Sequence, residues 1–264
     1  MLTSPLRPVH YSAGARLQPE DAGGSVITYG DVPGEYDAAV KAGALLLDRT
    51  TRGLVSVSGA DTRDFLHRIL ANDVKGLEAG QGNRNLLLTG KGKVVHVFDV
   101  ADLGAGLLLS TEPGEAAALM EALDVYLFAE DVQLADETEA HAPLELVGPD
   151  AQRIVQQTLD GAPEERGPEH AFHLATFRGA ATKLTPMPVA GRPGWRIETE
   201  PDRVGELWAA LVEKGARPGG LVAFDSLRSE TVTAAIGRDV SQDVYPQEAR
   251  LDDAFSLEKG CYIG

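Results

Sequence analysis

The sequence predicts an α+β protein made of two copies of a ferredoxin-like (split βαβ) unit, each an antiparallel sheet beneath two helices. Two recurring landmarks predict it. The first is Leu54-Val55-Ser56-Val57-Ser58, which alternates like a half-buried strand, is broken by Gly59-Ala60-Asp61, and is followed by Phe65, Leu66, Ile69 and Leu70. Those apolar residues fall four, five, eight and nine positions after Asp61, and Ile154, Val155, Thr158 and Leu159 fall at the same offsets after Asp150, behind Leu144-Glu145-Leu146-Val147. The second landmark is a strand that ends in Thr-Glu-Pro and opens a helix, at Thr111-Glu112-Pro113 and again at Thr199-Glu200-Pro201. The aspartates lie 89 residues apart and the prolines 88. Two independent landmarks shifted by nearly one interval are an internal duplication.

Taken in order, residues 1–34 are rich in Pro, Gly, Ser and isolated charge and read as a weakly ordered arm. From Glu35, apolar residues at three- and four-residue spacing (Tyr36, Ala39, Val40, Gly43, Ala44) predict a helix leading into Leu45-Leu46-Leu47-Asp48. The first unit, 35–140, continues through the helix capped by Asp61, strands at 85–89 and 94–100 around Gly90-Lys91-Gly92, the helix carrying Leu119, Met120 and Leu123, and a closing strand near Val132 to Ala135. The second unit, 141–230, repeats the order, but Pro163, Pro168, Pro186 and Pro188 interrupt its middle strands. It ends in a helix over 221–230 after Pro218-Gly219-Gly220, and residues 231–264 form a C-terminal segment. Two such sheets facing one another would frame a cleft for a small molecule.

A chain that is 43% hydrophobic at this length fills one large core or two coupled ones. It has no apolar run of membrane-spanning length and no signal-peptide pattern, so a cytoplasmic location is expected. A formal charge of −16 repels phosphate backbones and anionic lipid, which argues against general nucleic-acid or membrane-surface binding.

Several motifs carry both a chemical and a structural reading. Asn72-Asp73 suits a turn. Gly80-Gln81-Gly82 lacks the strand-to-helix context of a phosphate loop. His170 and His173 have no further Cys or His cluster to complete a zinc site, so no metal is expected. His96 lies among apolar neighbours as either a hydrogen-bonded core residue or a cleft-facing acid or base, and strand periodicity turns Asp99 to the opposite face. Arg228 is either an ion-pair partner of Asp225 on a helix surface or a guanidinium aimed at an anionic ligand. Cys261 is the sole cysteine of 264 residues, so no intrachain disulfide exists. Its flanking glycines and preceding Lys259 indicate an exposed loop in which the ammonium favours the thiolate.

Together these segments resemble the folate-binding superfamily of the glycine-cleavage T-protein (aminomethyltransferases). The resemblance runs from about Glu35 to Gly264 through LLDRTTRGLVSVSGADTRDFLHRILANDV, LEAGQGNRNLLLTGKGKVV, LELVGPDA and FDSLRSE. The closing KGCYIG is similar to the signature Lys-Gly-Cys-Tyr-x-Gly of the YgfZ branch, which is associated with iron–sulfur protein maturation. The resemblance implies the T-protein folate-binding fold, with a C-terminal barrel domain absent or truncated here. It implies tetrahydrofolate or a related reduced folate as ligand, held by Arg228, with Arg84, Arg192 and Arg196 available to its anionic tail. Lys259, Gly260 and Tyr262 frame Cys261 as the functional thiol.

Departures from the family pattern bear on activity. Paired aspartates follow the Gly-Gly turn in aminomethyltransferases, one of them catalytic, and those positions hold His96 and Val97 here. Arg192 and Arg196 replace glutamates of the pterin region, and Arg84 replaces a tyrosine. Lost carboxylates weaken stabilisation of developing positive charge. The resemblance therefore implies a folate-binding accessory protein for iron–sulfur assembly or repair, with iron–sulfur client or assembly proteins as partners. The alternatives are aminomethyl transfer with His96 or Asp99 as substitute acid, and a ligand-binding module without catalysis.

Overall fold

The computed structural model describes residues 2–20, 23–235, 237–241 and 243–264. Asp21 and Ala22, within the expected arm, lie outside them. The chain opens with α1 (Arg7–Ser12), β1 (Arg16–Leu17), β2 (Val26–Thr28) and α2 (Val32–Val40). The first copy of the repeat then runs β3 (Ala44–Asp48), β4 (Gly53–Ser58), α3 (Thr62–Ile69), β5 (Gly82–Leu88), β6 (Val94–Asp102), β7 (Leu107–Thr111) and α4 (Ala116–Asp124). The second runs β8 (Gln133–Asp136), β9 (Ala142–Val147), α5 (Ala151–Thr158), β10 (His173–Phe177), β11 (Ala180–Val189), β12 (Arg192–Thr199) and α6 (Val204–Glu213). Strand β13 (Ala216–Pro218) and α7 (Leu221–Glu230) follow.

The chain forms two compact units, Met1–Thr51 with Glu139–Val232, and Arg52–Thr138 with Thr233–Gly264. These boundaries correct the expected division at 34, 140 and 230. The sheets give the reason: one has the order β10-β11-β12-β9-β3-β13 and the other β5-β6-β7-β4-β8. Strand β3, which opens the first copy, pairs with β9 of the second, and β8, which opens the second, pairs with β4 of the first. The copies have exchanged first strands. Pairing is antiparallel throughout except between β13 and β3.

The expected weakly ordered arm is also corrected. Leu6 is fully buried in the core that α5 and α6 form over their sheet, and His10 is buried beside it. His10 Nε2 lies 2.8 Å from Asp48 Oδ2, and its Nδ1 lies 2.6 Å from the Tyr29 hydroxyl. The buried Glu35 carboxylate accepts from Thr28 Oγ1 at 2.6 Å, from Tyr29 N at 2.7 Å and from Gly220 N at 3.1 Å. Polar anchors with one apolar plug leave no periodic signature, which is why composition misreads them.

In the second copy, β11 runs unbroken through Pro186 and Pro188. Its partner β10 reaches only Leu184, so residues 185–189 form an edge on that side and need donate no ladder hydrogen bond there. The expected side-chain cap at Asp61 is replaced. Its carboxylate accepts from Asp131 N at 2.8 Å, and no cap bond to α3 forms.

Candidate functional site

The first unit carries a buried, charged sheet face. On one side its sheet packs α5 and α6; on the other, Leu45, Leu47, Val147, Met187 and Val189 meet Ala223 and Leu227 of α7. Strand alternation turns Glu145, Lys183, Thr185, Arg196 and Glu198 to that second face. Register sets Arg196 opposite both Glu145 and Thr185, and Lys183 opposite Glu198. Arg196 Nη2 donates to Glu145 Oε1 at 3.1 Å, while Arg49 Nε lies 3.3 Å from Glu145 Oε2 and its guanidinium stacks 5.1 Å from the Phe224 ring. Glu198 meets Lys183 Nζ at 2.9 Å and His141 Nδ1 at 3.4 Å. Burial alone would raise the Glu198 carboxyl, but Lys183, His141 and Arg196 overcome it and hold it well below the usual carboxylate range.

Helix α7 adds Arg228, 9% exposed, whose Nε donates to Asp225 Oδ1 at 2.7 Å. The i,i+3 ion pair exists, yet the guanidinium is buried rather than displayed on a helix surface. Arg192 donates to Glu230 Oε2 at 3.0 Å, and the Tyr36 hydroxyl donates to Glu230 Oε1 at 2.5 Å. Arg192, Arg196 and Arg228 thus belong to one unit. Arg49, Glu145, Lys183, Glu198 and His141 join them and were missed, because charges on separate strands show no relation until register is known.

The second unit holds the other predicted residues. His96 and Asp99 do face opposite ways: His96 Nδ1 lies 3.3 Å from Glu115 Oε2 beside α4, and Asp99 Oδ2 lies 3.8 Å from Arg52 Nη2. Burial pushes the His96 imidazole below its ordinary value against the pull of Glu115, which favours the neutral ring at pH 7. Buried Arg52 also bonds Glu112. Val97 sits in an apolar cluster with Val240, Leu251 and Ala254. Arg84 Nη1 lies 3.7 Å from Asp253 Oδ2.

Cys261 is exposed, as the loop reading expects. Lys259 departs from its expected role. Its ammonium donates to the backbone carbonyls of His67, Leu70 (2.5 Å) and Asn72 (3.4 Å), and lies over the Tyr262 ring, 5.2 Å from its centroid. Burial pushes that ammonium down to about 8, against Asp73. His170 and His173 are half-buried rather than fully exposed, and among the described residues no group of three or more His, Cys, Asp or Glu is placed to hold a metal. No described helix is long and apolar enough to cross a membrane.

The chain thus combines duplicated α+β units with exchanged first strands and, in the first unit, a buried face of paired basic and acidic side chains. Residues 7–259 match the family of the GCVT N-terminal domain, and the chain belongs to that family. It is 30% identical over 278 residues to the aminomethyltransferase of Chlorobium chlorochromatii, spanning 100% of this chain and 74% of that protein. To the aminomethyltransferase of Rubrobacter xylanophilus it is 29% identical over 256 residues, 97% of this chain and 68% of that protein. A chloroplastic putative transferase of Arabidopsis thaliana is 27% identical over 84% of this chain and 51% of its own length. The fold is shared with the crystal structure of the glycine cleavage system aminomethyltransferase T of Bartonella henselae, at a TM-score of 0.82, 24% identity, and coverage of 93% of this chain and 67% of that one.

Proposed function

We propose that this chain binds a reduced folate, as expected of the aminomethyltransferase superfamily. The observation that carries the reading is the buried face of the first unit, where Glu145, Arg196, Lys183 and Glu198 lie on adjacent strands, Arg49 follows β3 and pairs with Glu145, and α7, which carries Arg228, packs on the same face. Such a donor set fits the ligand: guanidinium groups match a carboxylate tail bidentately, and carboxylates accept from ring and amino N–H groups. Arg228 and Arg192 would hold the tail, and Arg196 with Glu145 the polar ring edge. When bound, the reduced folate supplies the nitrogen nucleophiles that accept a one-carbon unit. Equilibrium titration with tetrahydrofolate tests this. We expect saturable binding, weakened about tenfold or more in Arg228→Ala with its fold retained; no saturation by the folded parent chain would reject the reading.

The names of the relatives favour aminomethyl transfer as the use of that folate. A second use, support of iron–sulfur protein assembly or repair, is favoured by the residues at 96 and 97. Val97 is apolar, and the His96 ring is held at Glu115, so neither supplies the carboxylate of the transferases. The exposed Cys261 in KGCYIG belongs to the same reading. Turnover of an aminomethylated carrier protein would select transfer. No turnover, with lost iron–sulfur enzyme activity in cells carrying only Cys261→Ala, would select the accessory role.

A further inference from the structure

We propose that Lys259 is a positioning residue that stakes the C-terminal loop to the end of α3, so that it sets where the Cys261 thiol stands rather than activating it. An α-helix ends with four carbonyls that lack intrahelical partners and carry the negative end of its dipole. An ammonium is a compact cation with three donors. Lys259 brings those donors to the carbonyls of His67, Leu70 and Asn72, two in the last turn of α3 and its cap and one in the turn beyond. The sequence separations of 187 to 192 residues make this a tertiary contact and not a local turn.

Three further contacts fasten the same segment to the same turn. Asn72 Nδ2 donates to Asp253 O at 3.0 Å, and Ser256 N donates to Ala71 O at 3.0 Å. Tyr262 and Phe255 pack on the cluster that contains Ala71 and Leu86, with the Tyr262 ring beneath the Lys259 ammonium. The turn is itself braced: the buried Asn85 side chain accepts from Asn72 N at 2.8 Å, and Asn72 Nδ2 donates to Arg84 O at 2.9 Å. Between the staked Lys259 and the packed Tyr262, Gly260 at φ 94° turns the chain and leaves Cys261 exposed. The ammonium spends its donors on carbonyls and forms no hydrogen bond to Cys261.

Amide hydrogen exchange on the full chain tests the stake. In Lys259→Met, exchange should rise about tenfold both at 67–73 and at 256–263, because the helix carbonyls and the loop lose one shared contact. Lys259→Arg should fall between variant and parent, since a planar fork does not reproduce three converging donors. Iodoacetamide alkylation of Cys261 should change in rate in Lys259→Met while its pH–rate profile keeps its shape. Parent-like exchange at both segments, or a profile displaced to higher pH with exchange unchanged, would overturn the proposal. Should Lys259→Met not fold, the parent chain decides: a slowly exchanging lysine ammonium in proton–nitrogen NMR supports the stake, and absence of such a signal overturns it.

Discussion

The two sheets place different chemistry on equivalent strand pairs. In the second unit Ser56 of β4 stands opposite Leu108 of β7, and in the first Glu145 of β9 stands opposite Arg196 of β12. One step along, Leu54 faces Ser110, whereas Pro143 faces Glu198. Duplication has therefore kept the ladder and rewritten the faces. The second unit covers its face with an apolar C-terminal segment around Val97, Val240, Leu251 and Ala254, and the first fills its own with buried ion pairs. Buried charge is poor evidence of stability, since apolar residues of similar volume often serve as well. Arg52, Asp99 and Glu112 keep one ion-paired group in the second unit, whereas the first concentrates Arg49, Arg196, Glu145, Lys183 and Glu198 on one sheet face, and the proposed ligand site rests on that concentration.

The largest expected effect breaks that asymmetry directly. Glu145→Ala leaves Arg196 and Arg49 without their shared carboxylate, at a cost of about 3–5 kcal/mol. The equivalent Ser56→Ala should stay within about 1.5 kcal/mol, since Ser56 offers one long hydrogen bond to Glu137. Urea unfolding of both variants checks the contrast, and equal losses would mean that the charged face is ordinary scaffold.

Leu6→Ala comes next, at about 2–5 kcal/mol, because the side chain is fully buried in the core of the first unit. A loss below about 1 kcal/mol in the same unfolding experiment would restore the reading of residues 1–34 as a loose arm.

These outcomes turn on what the sequence makes legible. Helices α3 and α5 and strands β4 and β9 are visible because apolar periodicity is local and each stands beside a Gly-x-Asp break. The exchange of β3 and β8 is not visible, since a strand's residues say that it pairs without saying with whom. The site divides in the same way. Arg196 and Arg228 stand out individually, but Arg196 finds Glu145 only through register, and Lys259 finds the end of α3 only through the fold. Cys261 lies only two positions after Lys259 in the sequence, yet the ammonium bonds the carbonyls at the end of α3.

The charged face should also make the first unit sensitive to acid. The Glu198 carboxyl is depressed in the folded state, so its contribution is present above the unfolded value of about 4.3 and is lost as pH falls through the lower folded one. Asp48, which accepts from His10 and Ser4, is likewise lowered despite its burial and adds loss in the same direction. Urea midpoints followed downward from neutral pH should decline below that range, and Glu198→Gln should start less stable yet decline less steeply. An unchanged acid limb in the variant would remove Glu198 from this account.

The smallest expected effect separates the two equivalent helix ends. Lys259 closes α3 from far along the chain, whereas α5 closes itself: Thr158 Oγ1 donates to Ile154 O at 2.7 Å, and Asp160 pairs with Thr176. A half-exposed hydroxyl bond within one turn is worth about 0.5–1.5 kcal/mol, and water replaces it readily. Thr158→Ala should therefore shift the urea midpoint slightly and raise exchange only around residues 155–160. Spread of that exchange to other strands of the first unit would show that the end of α5 also fastens distant chain, and the contrast between the two helix ends would fail.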